Sequence, residues 1–369
     1  MTRVGILGAG QLGRMLALAG YPLGLRFVFL DEKPDSPGAQ VGDIVLGGLD
    51  EAGKIAELAR RVDVLTFDVE NVPATALREA GVESMCRPCI AALETGQDRV
   101  AEKSRFEALS IPVAPWRAVD SMGELETTLN AFGLPAVLKR RRLGYDGRGQ
   151  RFIRRREEAS GAFTELGGGN LILESFVAFE REVSMIGVRA PDGAMAFYPL
   201  SENRHDNGIL RLSRGPAGPA ELAAEARDYV GRLLTHFDYV GVLAVEFFVR
   251  EEKLLANETA PRVHNSGHWT IEGCVTGQFE NHVRAVAGLP IGATGAVGHS
   301  AMANLIGKMP ATSELLSIPG LHLHAYGKSA RPGRKLGHAT LVAADAEALA
   351  GPLDRLLGLA WPEGSAPAG

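Results

Sequence analysis

Asn257-Glu258-Thr259-Ala260-Pro261-Arg262-Val263-His264-Asn265-Ser266-Gly267-His268-Trp269-Thr270 is the stretch on which the fold turns. It sets a carboxylate, two amides, an arginine, two histidines and a glycine directly behind an apolar run, Val240 to Val249, with Glu246 in its middle. Side chains alternate faces along a strand, so Val242, Ala244, Glu246 and Phe248 share one side. On the next short strand Leu254, Ala256 and Glu258 share one side. A three-residue loop, Glu251-Glu252-Lys253, pairs Arg250 with Leu254 and sets Glu246 opposite Glu258, although no turn-forming glycine stands there. Two facing carboxylates repel, and burial adds a desolvation penalty. A hard cation such as magnesium, bound through oxygen, relieves both. Salt bridges to neighbouring arginines do so too, and the spacing leaves the two readings open.

Outward from this stretch, the 369 residues allow two or three domains. At 46% hydrophobic and 22% charged, the chain has the composition of a soluble protein with a sizeable core. Its formal charge of −5 argues against a general nucleic-acid binder. No apolar run approaches the ~18 residues that suggest a membrane span. The N-terminus, interrupted by Gln11 and Arg14, reads as a strand and a helix and not as a signal peptide. Three cysteines point to a reducing cytoplasm. Cys86 and Cys89 have CxxC spacing, but only Cys274 remains to complete a zinc set.

The first ninety-odd residues alternate strand and helix: Val4–Leu7, Leu12–Ala19, Arg26–Leu30, Val41–Leu46, Glu51–Arg61 and Val64–Phe67. That rhythm implies an α/β domain with a parallel sheet. A helix follows at Arg99–Leu109, then strands near Pro135–Lys139, Phe152–Arg154, Leu171–Glu174, Val183–Val188 and Met195–Leu200. Helices are expected at Ala220–His236 and Val275–Ala287, and a small, flexible linker at Gly292 to Val297. Strands near Met302–Ile306, His322–Tyr326 and His338–Val342 and a helix at Ala346–Leu357 complete the chain.

Four motifs can carry chemistry. Gly8-Ala9-Gly10-Gln11-Leu12-Gly13 fits GxGxxG between a strand and a helix, with Asp31 ending the next strand, which is the dinucleotide fingerprint. Physically it asks only for an anion at a helix N-terminus. Lys139-Arg140-Arg141-Arg142-Leu143-Gly144-Tyr145-Asp146-Gly147-Arg148-Gly149-Gln150 feeds a cationic strand end into a glycine-rich loop suited to phosphates, or to a solvated basic hairpin. There is no GxxxxGK[ST], so a P-loop is excluded. Leu171 to Val177, with Glu180 and Glu182 beyond, is a strand end that can read an adenine and a ribose, or an ordinary strand end. His205, in Glu202 to Gly208, is equally open: a group of the same site, or a surface histidine in a turn. His324, Tyr326, Lys328, Arg331, Arg334 and Lys335 cluster around Pro332-Gly333, as an anion clamp or a basic turn.

Taken in order, GxGQLGRM at Gly8–Met15, GYDGRGQ at Gly144–Gln150, NExAPRxHNSGHWT at Asn257–Thr270 and YGKxxRPGRKxGH at Tyr326–His338 resemble the ATP-grasp enzymes. Within them they are most similar to the 5-(carboxyamino)imidazole ribonucleotide synthases of purine biosynthesis. The resemblance runs to about residue 345. It implies an α/β ATP-grasp fold with a Rossmann-like pre-ATP-grasp domain at 1–97, an ATP-grasp domain at 98–295 whose lid spans about 110–177, a small C-terminal domain at 296–363 and a disordered tail at 364–369. It replaces the dinucleotide reading: Gly10, Gln11 and Leu12 are then expected at the ribose 5′-phosphate of aminoimidazole ribonucleotide. Arg99, Lys139, Gly144, Tyr145, Asp146, Gly147, Arg148, Gly149, Gln150, Glu174, Ser175, Phe176, Val177, Glu182, His205, Asn257 and Glu258 are expected to contact ATP. Glu246 and Glu258 are expected to hold magnesium or manganese. Glu70, Tyr145, Asp146, Arg148, Lys328, Arg331 and Arg334 are expected to face the ribonucleotide, and Arg262, His264, Asn265 and Lys328 the bicarbonate, with Asp146 a candidate for the amine proton. The same resemblance implies a cytoplasmic homodimer that acts on small molecules, away from nucleic acid and membranes.

Overall fold

The computed structural model describes residues 1–144 and 147–361. The N-terminal part holds strands β1 (Arg3–Leu7), β2 (Arg26–Asp31), β3 (Asp43–Leu46) and β4 (Val64–Phe67) with helices α1 (Gln11–Gly20), α2 (Ala52–Ala59), α3 (Ala74–Glu79) and α4 (Ile90–Gln97). Its strands run in the order β3-β2-β1-β4, all parallel. The first four residues of β1 after Arg3 are fully buried, as a parallel strand covered on both faces must be. Helix α5 (Arg99–Ala108) follows, its N-terminus capped by Asp98, whose side chain accepts from the Val100 and Ala101 amides.

A small antiparallel sheet comes next, in the order β5-β8-β6-β7: β5 (Trp116–Val119), β6 (Ala136–Arg140), β7 (Gln150–Ile153) and β8 (Leu171–Ser175), backed by α6 (Met122–Phe132) and α7 (Ala159–Glu165). Helix α6 is an addition to the expected elements, yet its signal stands in the sequence. Ser121 accepts from the Glu124 amide while Glu124 accepts from the Asp120 amide, a cap and a return bond of the kind that start helices.

The third and largest sheet has nine strands: β9 (Arg181–Arg189), β10 (Met195–Phe197), β11 (Ser201–Asp206), β12 (Ile209–Gly215), β13 (Gly241–Arg250), β14 (Lys253–Ala260), β15 (His299–Ile306), β16 (Leu321–Ala325) and β17 (Lys335–Ala343). The order is β14-β13-β9-β11-β12-β15-β17-β16, with β10 on β9. The C-terminal strands therefore extend the central sheet through β12 and β15. Helix α8 (Ala220–His236) covers one face together with α5, and α10 (Gln278–Val286) packs on the other against α1; a single turn, α9 (Thr270–Gly273), precedes α10. Helix α11 (Thr312–Leu316) and helix α12 (Ala346–Ala360) close the C-terminal core.

Three expectations change. Glu202 to Gly208 is not a turn with a surface histidine; it is strand β11 with His205 on it, and the turn is Asn207-Gly208, both at positive φ. Asn-Gly between strands is a strong hairpin signal. The segment Gly292 to Val297 is no loose linker. The Gly292 amide donates to Asn281, Thr294 donates to Phe197, and Cys274 bridges to Ala296. The hairpin β13–β14 has a two-residue loop, Glu251-Glu252, at φ 52° and 58°, so Arg250 pairs with Lys253. Leu254 and Ala256 point into the core beneath the sheet. A bulge at Asn257 then shifts the register, and Glu246 meets Glu258 after all. The bulge, and not simple alternation, turns Glu258 to the cleft face. The tail beyond residue 361 lies outside the described residues.

Burial welds the N-terminal sheet to the central one. His282, fully buried on α10, accepts the Val242 amide at Nδ1 (3.1 Å), which leaves Nε2–H to donate to Thr66 on β4 (2.8 Å). Burial holds this imidazole neutral, its pKa down at about 3.

Candidate active site

Two cavities open along the cleft face of β13 and β14. The larger, about 600 Å³, lies between the small sheet and the central sheet. Lys139, Glu174, Ser175, Phe176, Val177, Glu182 and His205 line it, with Gly147, Arg148 and Gln150 of the glycine-rich loop. The second, about 190 Å³, runs toward the N-terminal domain past Gln11, Leu12, Glu70, Arg262, His268 and Tyr326. Arg99, Glu246, Glu258, His264, Asn265 and Lys335 wall both, so the cavities meet at the paired carboxylates.

Strand ends supply the nucleotide-side charges. Lys139, the fourth residue of β6, bonds Glu174 of β8 at 2.9 Å, and Lys103 of α5 stands 3.7 Å from the same carboxylate. Burial alone would raise the Glu174 pKa, but Lys103, Lys139 and Arg99 hold it down at about 2. His205 pairs with Glu182. Burial works against its charge, yet the bond to Glu182 and the nearby Glu246 and Glu258 push its pKa up to about 9. Glu246 moves the other way for a carboxylate. Burial first, then the like charges of Glu258 and Glu182, raise it to about 7. Arg99 bonds Glu258 at 3.1 Å.

On the far side Arg262 bonds Glu70 at 2.5 Å and the Val263 carbonyl at 2.9 Å. Against the effect of burial, Arg262 holds Glu70 down at about 2. His264 is buried, and burial with Arg262 and Lys335 nearby lowers its pKa to about 3. The Ser266 hydroxyl (2.8 Å) and the Ser266 amide (3.3 Å) both meet its Nδ1. An amide can only donate, so Nδ1 accepts and the ring proton sits on Nε2, 3.7 Å from Glu246. Asn265 and Asn304 of β15 exchange amide hydrogen bonds at 3.1 and 2.6 Å, which fixes Asn265 against the C-terminal strands.

The other expected residues fall as follows. Lys328 bonds Gln11, bringing the C-terminal loop to the N-terminus of α1. Burial and the charges of Arg334, Lys335 and Arg331 lower its pKa to about 8, with Asp68 opposing. Arg334 bonds Ser329 at 2.9 Å, and Arg331 is exposed; neither lines either of these two cavities. Gly149 lies in the loop without forming a wall. Tyr145 and Asp146 lie outside the described residues. At Gly10 the amide donates to Asp68 (2.6 Å), as does the Gly13 amide (2.7 Å), while Asp31 accepts from Ala9 (2.9 Å). The loop thus gives two of its amides to a carboxylate of the chain itself. A Cβ at Gly10 would stand 2.4 Å from Asp68 Oδ2, which is why glycine stands there. Sequence reasoning misses Asp68, as it misses Glu102, Lys103, Asn71 and Gln97. Asp68 directly follows the buried parallel strand β4, the place where such sheets gather ligand-facing groups. Glu102 and Lys103 fall one helical turn beyond Arg99, a spacing that could have found them.

Among the described residues no three His, Cys, Asp or Glu side chains gather into a metal cage. Magnesium does not need one, since it is held by one or two carboxylates together with substrate phosphates. Glu246 and Glu258 pair across the two strands, and the buried Oδ1 of Asn257, which lines the larger cavity, has no hydrogen-bond partner among the described residues. The donor set fits that ion.

Three family models match in sequence: the ribonucleotide synthetase preATP-grasp domain over residues 1–97, the ATP-grasp domain over 104–279 and the phosphoribosylaminoimidazole carboxylase C-terminal domain over 300–351. The N5-carboxyaminoimidazole ribonucleotide synthase of Pseudomonas aeruginosa is 51% identical over 93% of this chain and 95% of its own. The chain belongs to the N5-carboxyaminoimidazole ribonucleotide synthase family of ATP-grasp ligases. The crystal structure of the Thermus thermophilus synthetase of this family superposes with a TM-score of 0.94 at 51% identity, covering 99% of this chain and 100% of that one. The Aspergillus clavatus synthase, crystallised with ADP and 5-aminoimidazole ribonucleotide, superposes with a TM-score of 0.88 at 32% identity, covering 96% and 98%. The expected ATP-grasp fold, with its pre-ATP-grasp and C-terminal parts, is the fold of the family.

Proposed function

We propose that this chain uses ATP to carboxylate the amine of 5-aminoimidazole ribonucleotide with bicarbonate in purine biosynthesis. The products are 5-(carboxyamino)imidazole ribonucleotide, ADP and phosphate. The observation that carries this reading is the meeting of the two cavities at Glu246 and Glu258. A nucleotide in the larger cavity and a ribonucleotide in the smaller would present their reacting ends to the same few side chains.

Bicarbonate is a weak electrophile, and phosphorylation turns it into carboxyphosphate, which collapses to carbon dioxide and phosphate. Such chemistry rests on positioning and charge neutralisation more than on covalent catalysis. Lys139 and the loop from Gly144 to Gln150 would hold the phosphates. Glu246 and Glu258 would hold magnesium, which when bound neutralises charge on the transferring phosphoryl group. Arg262, fixed by Glu70, and the Nε2–H of neutral His264 would orient bicarbonate with Asn265, and Lys328 with Gln11 and Leu12 would meet the ribonucleotide. The small sheet over the larger cavity would keep water from the carboxyphosphate. Asp146 or the released phosphate would take the amine proton. Magnesium, the cytoplasm, a homodimer and the division at residues 97 and 295 belong to the same reading. Among the described residues no helix is long and apolar enough to cross a membrane.

The test is ADP release measured with bicarbonate and aminoimidazole ribonucleotide, each alone and both together. Fast release is expected only with both. Release that ignores the ribonucleotide, or that follows another amine equally well, would overturn the assignment.

A further inference from the structure

Glu258 reaches the cleft only because strand β14 breaks its alternation at Asn257. Ala256 is buried on the core side of the sheet, so an unbroken strand would send Glu258 there too. A bulge leaves backbone groups without ladder partners. Strand β14 is also the edge of the sheet, so its outer backbone groups have no neighbouring strand beyond an isolated bridge of Ala256 to Val113. Helix α5 and the segment after it meet these needs one by one. The Lys103 ammonium donates to the Ala256 carbonyl at 3.2 Å and to the Asn257 carbonyl at 2.8 Å, on either side of the bulge. The Glu102 carboxylate accepts from the Thr259 amide at 2.6 Å and from its hydroxyl at 2.7 Å. Pro112 accepts the Ala256 amide at 2.7 Å. Arg99, one turn earlier on the same helix, bonds the Glu258 carboxylate itself.

Glu102 and Lys103 are 3% and 1% exposed. Two ionisable groups buried to that degree are expensive unless their polar atoms find partners. An apolar helix face could cover an edge strand without them. What apolar residues cannot do is hold two carbonyls and an amide in the bulged conformation.

We infer that Glu102 and Lys103 are positioning residues that lock the bulge at Asn257 and so aim Glu258 at the cation that it shares with Glu246. The inference rests on the magnesium reading of the carboxylate pair. It assigns to helix α5 a role in metal affinity separate from the direct contact of Arg99.

The experiment uses the full chain and reads Mn²⁺ affinity by electron paramagnetic resonance in the presence of ADP, with ADP affinity in metal-free buffer measured beside it. Glu102→Leu and Lys103→Met are expected to weaken Mn²⁺ binding by about tenfold or more, on the scale of lost outer partners of a metal ligand. Metal-free ADP affinity in Glu102→Leu should stay within about twofold, a change that fits no loss of a direct nucleotide contact. Glu102→Gln keeps an acceptor oxygen of the same reach and should retain most of the Mn²⁺ affinity. If Glu102→Leu does not fold, Thr259→Val, which removes one of the two donors to Glu102, carries the test with an expected loss of about threefold. Folded Glu102→Leu, or Thr259→Val in its place, with unchanged Mn²⁺ affinity would overturn the role of the helix. Glu246→Gln and Glu258→Gln separate the two readings: if neither weakens Mn²⁺ binding, the metal reading itself fails, and the positioning role with it.

Discussion

Glu258 is asked to do two things at once: to accept from Arg99 and to face Glu246 across the strand pair. Replacing it with Gln keeps its shape and removes the charge. Phosphoryl transfer depends on charge held in place, and the loss of one well-placed group slows such reactions by about 10²–10³ or more. Glu258→Gln should therefore reduce ADP release by at least that factor while circular dichroism and melting temperature stay close to wild type. Near-normal turnover would leave the carboxylate pair with a structural role only. His205 offers a test by pH. Its folded pKa, about 9, lies above the ordinary histidine value of 6.5, so its bond to Glu182 stabilises the fold fully below about pH 6.5 and loses that contribution as pH rises through about 9. His205→Gln should destabilise by about 1.5–3 kcal/mol near pH 6, the range for a hydrogen bond to a charged group, and by progressively less toward pH 9.5. Urea titrations of both proteins across that range check it. An effect of constant size would mean that the imidazole is not charged in the pair. Many of the side chains that line the two cavities are legible in the sequence because charged and amide residues crowd into a few stretches. Asp68 is not, since its work is to accept amides from a glycine loop 55 residues or more away in sequence, and no local pattern records that.

At the scale of the element, hairpin β13–β14 shows how a correct pairing can rest on an incorrect register. The apolar alternation from Val242 to Phe248 is plain in the sequence, and so is the second strand. The loop length and the bulge are not, because both depend on contacts from distant segments: Glu180 accepts the Glu251 amide at the loop, and helix α5 bonds the bulge. Glu251 and Glu252 both sit at positive φ, the conformation of a tight two-residue hairpin turn that favours Asn-Gly. Their presence explains why no turn signal is legible there. Long side chains in this region are strained, and relief of that strain is measurable. Glu251→Asn with Glu252→Gly should raise stability by about 1 kcal/mol. Both side chains are exposed and line neither cavity, so ADP release should not change. A lower melting temperature in the double variant would show that the glutamates are kept for contacts such as the Arg250–Glu251 ion pair. Elsewhere the strongest local patterns translate directly: helix α8 runs over the expected Ala220–His236. Helix α6 and the β11–β12 hairpin escape the same reading although their caps and turn residues are in the sequence.

For the whole molecule the question is whether the C-terminal third is a separate body. From the sequence it is expected as a small domain of its own, at 296–363. The structure makes its strands part of the central sheet. Strand β12 pairs with β15 from Leu212–Ala303 to Gly215–Ser300, and Leu212 is buried among Ala301, Leu305 and Leu341. Asn304 reaches back to Asn265 and to the Leu210 carbonyl, and Lys328 reaches Gln11 on the N-terminal helix. A chain ending at Val297 would expose the whole edge of β12 and uncover Leu212. An exposed, apolar edge strand pairs with other chains. Such a chain should form no soluble monomer with a cooperative melt, and what can be recovered should release no ADP. Size-exclusion chromatography and a thermal scan decide it. A monodisperse truncated chain that melts cooperatively and still binds ATP would mean that β12 tolerates being an edge and that the sheet is divisible between β12 and β15. The full chain should instead lose its central sheet in one transition, because no apolar boundary separates the strands that carry Glu246 and Glu258 from those that carry Asn304 and Lys335.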